Sequence, residues 1–152
     1  MILVILASGR GSRLNSETIK KPKCLIKING KTILEELEKI FKYFDKVIIV
    51  SGYKSKFIKN RYFNSNIKVL VNKKFRLTNM VYSLFLTKKY INSDLVVVYS
   101  DIFFDTKIIK KIIKIDKTIL PLKSNWFDLW KKRMSYKKIF KDAENIITKN
   151  SS

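Results

Sequence analysis

"ILVILASGRGSRLNSETIKKPKCL", residues 2–25, runs from an apolar strand pattern into a basic stretch punctuated by two glycines. The first six residues are rich in Ile and Val and read as a buried strand. The stretch beyond them is too polar to be core: Gly9 and Gly11 stand among Arg10, Arg13, Lys20, Lys21 and Lys23. Glycine lets the backbone take positive φ and approach a ligand closely, so that amide N–H groups can point at phosphate oxygens. The basic side chains add charge-assisted donors. A strand that ends in such a loop predicts a phosphorylated ligand.

Outward from this stretch, short apolar runs alternate with helical patterns. Strands are predicted at 2–7, 46–51, 67–72, 94–101 and 117–123. Helices are predicted at 32–44, 54–63, 78–91 and 106–115. In the first helix Ile33, Leu37, Ile40, Phe41 and Phe44 share a face. The run "DLVVVYSD" is the most continuously apolar strand and is expected at the centre of the sheet. The order β-α-β-α-β-α-β-α-β predicts an α/β fold: three layers, α/β/α, around a mostly parallel Rossmann-like sheet, in one domain over 1–152. Open α/β sheets bind ligands at the carboxyl ends of their strands. "SGRGSR" and "SDIFFD" both fall at such ends.

The totals narrow the function less than they suggest. The chain carries 33 basic and 12 acidic residues, a net charge of +21. That favours anionic partners, but Lys, Ile and Asn are overused in every segment, as an AT-rich genome produces unaided. One cysteine, Cys24, excludes an internal disulfide framework, and with no histidine a zinc site has almost no ligands. "MILVILA" is too short for a membrane span and lacks the basic flank of a signal peptide. A soluble, cytoplasmic protein is expected, and a homo-oligomer is compatible with all of this.

Three phosphate loops can be tested against residues 6–25. A P-loop needs G-x-x-x-x-G-K-[ST], which is absent. A dinucleotide fingerprint needs a small residue where Leu14 stands, and a helix directly after the loop. The third pattern fits. L-A-x-G-x-G-x-R-L followed by K-P-K-x-L resembles the opening of the nucleotidyltransferases that activate sugar phosphates, phosphocholine and related phospho-alcohols. The resemblance implies that Leu6, Ala7, Ser8, Gly9 and Gly11 cradle a nucleotide and that Arg13 and Lys23 grip its triphosphate. Pro22 would aim Lys23 into the site.

Further segments extend the likeness. Asp101, just past the strand at 94–101, stands where the family carries a metal-binding aspartate, which implies Mg²⁺ bound by a carboxylate and phosphate oxygens. Asp105 is better placed to cap the next helix. "LTNMVYSL" is similar to the stretch where relatives acting on phosphocholine and phosphonates carry a polar pair facing base and ribose. Thr78 and Asn79 fit that role, and they equally fit a helix cap. "NWFDLWKKRMSYKKIFKDAENI" resembles the acceptor-side segment of the same branch. It nominates Trp126, Trp130, Arg133, Asp142 and Glu144 as acceptor-binding, the tryptophans by cation–π contact with an ammonium head group or, alternatively, as core. Relatives run on past "ITKNSS", so the domain is expected to be incomplete at its C-terminus and to lack a second metal carboxylate.

The reaction implied is attack by a phosphate or phosphonate oxygen on the α-phosphorus of a nucleoside triphosphate, expelling pyrophosphate. The nucleotide would be CTP and the acceptor phosphocholine or an aminoethyl phosphonate. A phosphomonoester is already largely dianionic at neutral pH, its second pKa being about 6, so no histidine base is required. Two other readings stay open: a sugar-1-phosphate nucleotidyltransferase, and an inactive remnant or basic nucleic-acid-binding module. No nucleic-acid-binding motif appears, so nucleic acid is not the expected partner.

Overall fold

The computed structural model describes residues 1–132 and 134–143, with main chain alone at Arg13, Asn15 and Asp142. These form two compact units, Met1–Ile115 and a second that starts at Asp116.

The first unit runs β1 (Ile2–Ala7), α1 (Asn15–Lys20), β2 (Lys27–Ile28), β3 (Lys31–Thr32), α2 (Ile33–Glu38), β4 (Lys46–Ser51), α3 (Ser55–Arg61), β5 (Lys68–Val71), α4 (Met80–Phe85), β6 (Leu95–Tyr99) and α5 (Lys107–Ile112). The second holds α6 (Trp126–Lys131) and α7 (Tyr136–Asp142). Four strands pair in the order β5-β4-β1-β6, all parallel, while β2 and β3 make a small antiparallel hairpin. The mostly parallel sheet read from the sequence is present.

Side chains alternate along β1 and feed two cores. Leu3 and Ile5 join Ile49, Leu34, Leu37, Ile58 and Ile109, so α2, α3 and α5 cover one face. Ile2, Val4 and Leu6 join Ile48 and Val50 beneath Leu84 of α4. The first core is clamped at its rim: Arg61 donates two hydrogen bonds to Glu38, and the Tyr62 hydroxyl donates a third at 2.6 Å. That joins the end of α2 to the end of α3.

Several expectations are corrected. The strand at 94–101 is not central: β6 lies at the edge among the described residues, and β1 and β4 occupy the middle. An apolar run does not reveal how many faces are covered. Val96 and Val98 pack in the first core, whereas Leu95, Val97 and Tyr99 are each 38% exposed. Residues 117–123 form no strand; Pro121 removes a donor that a ladder needs, and no described strand pairs with this run. The basic loop is shorter than it reads. Leu14 N–H closes onto the Gly11 carbonyl at 3.0 Å, and α1 begins at the next residue. The helix expected over 32–44 ends at Glu38 and passes into a 3₁₀ turn, Phe41–Tyr43.

Helix α2 starts from a capping box: the Thr32 hydroxyl accepts from Glu35 N–H at 3.1 Å, and the Glu35 carboxylate accepts from Thr32 N–H at 2.6 Å. The backbone N–H of Thr32 is the main reason that the Glu35 carboxyl titrates below the ordinary glutamate range. A depressed folded pKa contributes stability above the unfolded value, about 4.3, and loses it as pH falls through the folded value. Glu35→Gln should therefore lower the urea midpoint at pH 7, with a deficit that shrinks as pH falls below the ordinary glutamate value; a deficit that stays constant with pH would contradict the charge role. Thr32→Ala should cost about 1 kcal/mol. Cys24, 1% exposed, has its thiol pushed up to about 12, chiefly by burial. Native protein at pH 8 should resist iodoacetamide, and urea-unfolded protein should label promptly; fast native labelling would show that the residue opens to solvent.

Candidate active site

Because the four strands are parallel, the carboxyl ends of β1, β5 and β6 open on one edge, and a cleft of about 250 Å³ lies there. Leu6, Ala7, Ser8, Gly9 and Gly11 supply one wall. Lys23 and Cys24 come from the 3₁₀ turn after α1, Thr78 and Asn79 from the start of α4, and Ser100 and Asp101 from the end of β6.

The pairing that defines the cleft joins Lys23 Nζ to Asp101 Oδ2 at 2.6 Å, across 78 residues of chain. Local geometry explains how Lys23 arrives there. Pro22, at φ −66° and ψ 152°, opens the turn Lys23–Leu25, and Leu25 N–H and Ile26 N–H close it on the Pro22 and Lys23 carbonyls. Within that turn Cys24 enters the core and Lys23 enters the cleft. Gly11 makes room. A Cβ there would lie 3.0 Å from Lys23 Cβ and 3.1 Å from its Cδ, and its φ of +68° already excludes most side chains. Gly9 takes no positive φ and faces open space, so its use lies in the room it leaves beside the cleft.

Of the other basic residues, Arg10 lies over the Tyr53 ring at 5.9 Å, and neither Lys20 nor Lys21 lines the cleft. The Arg13 side chain lies outside what the structure describes, as do Arg133, Glu144 and the Asp142 side chain. Asn79 caps α4, its side-chain oxygen accepting from Tyr82 N–H at 3.1 Å, and still lines the cleft. Trp126 and Trp130, in the second unit, meet edge to face with centroids 5.6 Å apart, and Trp126 also meets Phe127. The two tryptophans are thus partners of each other.

Sequence reasoning missed several contributors. Asn72, Phe75 and Ser83 line the cleft, and Gly52 supports it from behind: a Cβ there would come within 2.7 Å of both Phe75 Cβ and the Ser8 carbonyl. The signal for Gly52 and Asn72 was position, since each directly succeeds a strand of the parallel sheet.

A divalent cation can be tested against these donors. Among the described residues no group of three or more His, Cys, Asp or Glu could hold a metal. Asp101 stands alone in the cleft, 40% exposed at its side chain, with Oδ1 free of hydrogen bonds among the described residues. One carboxylate with phosphate oxygens completing the shell is a usual Mg²⁺ arrangement, so the residues fit the ion. No described helix is long and apolar enough to cross a membrane.

Known proteins share this architecture. The CTP:phosphoglutamine cytidylyltransferase of Campylobacter jejuni is 30% identical over 156 residues, covering 96% of this chain and 61% of that protein. The glucose-1-phosphate cytidylyltransferase of Salmonella typhimurium is 44% identical over 66 residues, 42% of this chain and 26% of that one. The solved CTP:phosphocholine cytidylyltransferase of Streptococcus pneumoniae, LicC, superposes with a TM-score of 0.60 at 28% identity, covering 66% of this chain and 45% of that one. This chain thus spans less than two thirds of the length of each. The model of the MobA-like NTP transferase domain matches residues 3–118, from the first strand through the whole cleft. With the glycine loop, the Lys23 turn and Asp101 all inside that match, the chain belongs to the MobA-like NTP transferase family.

Proposed function

We propose that this chain binds CTP at the cleft and transfers CMP to a small phosphorylated acceptor, phosphocholine or an aminoethyl phosphonate, releasing pyrophosphate. The observation that carries the reading is the Lys23–Asp101 pair at 2.6 Å beside the Ser8–Gly11 wall: a cation for phosphate and a carboxylate for metal in one cleft. Relatives named for cytidylyl transfer to phosphoglutamine and to phosphocholine support CTP and a phosphorylated acceptor.

In this mechanism the amides around Gly9 and Gly11 and the Lys23 ammonium hold the triphosphate, with Arg13 in the same role by its place in the motif. An acceptor oxygen bonds to the α-phosphorus as the bond to the bridging oxygen of pyrophosphate breaks, and the leaving group departs with that electron pair. The acceptor dianion needs no base. Lys23 therefore acts by position and charge, offsetting the negative charge that moves onto the pyrophosphate. Asp101 would hold Mg²⁺, which when bound supplies Lewis-acid neutralisation of phosphate oxygens. A sugar 1-phosphate is the second acceptor reading, favoured by the likeness to glucose-1-phosphate cytidylyltransferase.

Thermal unfolding with Mg²⁺ and each of CTP, UTP, ATP and GTP tests nucleotide binding. CTP at about a hundredfold over its Kd should raise the Tm by about 5 °C or more. No shift with any triphosphate would overturn the reading and favour a polyanion-binding module. Pyrophosphate release with phosphocholine, aminoethyl phosphonate or glucose 1-phosphate then assigns the acceptor. Lys23→Ala and Asp101→Asn should each lower kcat/KM by about a hundredfold or more while leaving the fold intact; wild-type rates in both would place the chemistry elsewhere.

A further inference from the structure

Three strand exits on the carboxyl edge each carry a cation outside the cleft lining. Arg10 comes from the glycine loop after β1, Lys54 from the turn after β4 and Arg76 from the turn after β5. All three rest on one aromatic pair. Tyr53 and Phe75 meet edge to face with centroids 6.1 Å apart. Arg10 Cζ and Lys54 Nζ lie 5.9 and 5.7 Å from the Tyr53 centroid, and Arg76 Cζ lies 5.8 Å from that of Phe75. The pair belongs to the cleft wall: Phe75 lines the cleft, and Tyr53 N–H donates at 3.0 Å to the carbonyl of Ser8, which lines it too.

The backbone holds this cluster in place. Lys54 takes φ 49° and ψ 41°, a left-handed conformation that lysine seldom adopts, in a turn where Ser55 N–H donates to the Gly52 carbonyl at 3.2 Å. Gly52 has no room for a Cβ between Phe75 and Ser8, so the turn is pressed against the ring it supports. Among the described residues no carboxylate comes within ion-pair distance of Arg10, Lys54 or Arg76. Two of these cations share one ring, so like charges stand together without a counter-charge. Aromatic faces attract a cation without consuming its hydrogen-bond donors. The N–H groups remain for an anion.

The lysine excess does not account for the rim. Five of the 33 basic residues are arginine, and a bias toward lysine does not place them. Arg61 is bound to Glu38, and Arg133 lies outside the described residues. The other three, Arg10, Arg13 and Arg76, follow β1 and β5 at the edge where the cleft opens. A planar guanidinium matches the oxygens of a phosphate in a way that an ammonium does not.

We infer that Arg10, Lys54 and Arg76 form a cationic rim that captures the polyphosphate tail of the incoming nucleotide and delivers it to Lys23. The inference rests on the proposal that the cleft takes a nucleoside triphosphate. The three act by charge on the entry and retention of the anion, not on the bond changes at phosphorus. An acceptor monophosphate offers the same oxygens, but a row of three phosphates can engage several cations at once.

Two triple variants of equal charge test it. One replaces Arg10, Lys54 and Arg76 with Gln. The other replaces Lys46, Lys68 and Lys89 with Gln; these lie 5.5, 4.6 and 5.1 Å from the Tyr90 centroid, near the amino ends of β4, β5 and β6. Calorimetry with CTP and with inorganic tripolyphosphate is run at about 50 and about 300 mM NaCl. At low salt the rim variant should bind both about tenfold more weakly, as three exposed charge contacts predict, and the gap should shrink at high salt. The amino-edge variant should stay within about twofold of wild type. In turnover, the rim variant's KM for CTP should rise more than its kcat falls. If the rim triple does not fold, the Arg10→Gln/Arg76→Gln pair carries the test. Equal weakening in both triples would reduce the effect to bulk charge and overturn the rim. Wild-type affinity in the rim variant would overturn it while leaving nucleotide binding standing. A raised KM for the acceptor with unchanged CTP binding would overturn the polyphosphate assignment. A wild-type protein that binds no triphosphate would overturn nucleotide binding and this inference with it.

Discussion

Strand β1 is hydrogen-bonded on both sides, by β4 and β6, and Leu3, Val4 and Ile5 are wholly buried. Parallel pairing on both sides forces the three strands to point the same way. Their carboxyl ends must then emerge together, and the residues just beyond them cannot avoid being neighbours. Ser8, Ser51 and Ser100 each sit one step from this exit, tied in register by Asn72 N–H to the Ser51 carbonyl and Ser100 N–H to the Leu6 carbonyl. The cleft is thus a by-product of strand direction, before any specific ligand contact is considered.

The turn at Pro22 shows how few residues separate stability from chemistry. Cys24 belongs to the larger core, and Lys23, its neighbour, spans the cleft to Asp101. Burial of the thiol anchors the turn, and the anchor fixes where the ammonium can go. Gly11 completes the device from the other side, because its missing Cβ is the space the lysine stem occupies. A change at any of these four positions would move the others.

The sequence carried the mostly parallel α/β pattern and the motif residues because both are local signals: β-branched runs, glycine spacing and a proline beside lysine. It did not carry the neighbours in space. Continuous apolarity in "LVVVY" looked like two-sided burial, yet which strand is central depends on pairing that residues 95–99 do not encode alone. Asn72 read as the last residue of a strand, and its hydrogen bonds emerge only when Thr78, Ser83 and Lys74 close around it. Gly52 was hidden for the same reason, since its need for no side chain comes from Phe75 and Ser8, both distant in sequence.

Strand β6 has a further physical consequence. Its outer side carries no ladder partner among the described residues, and Leu95, Val97 and Tyr99 leave one flank greasy. Folded proteins commonly blunt such an edge with a lysine or a proline inside the strand, and "LVVVY" has neither. What guards it instead is long-range: a net charge of +21 makes every copy repel every other. That guard is only as long as the screening distance, about 10 Å at 0.1 M salt and about 3 Å at 1 M. Repulsion between copies therefore weakens as salt rises, and with it the long-range protection of this edge.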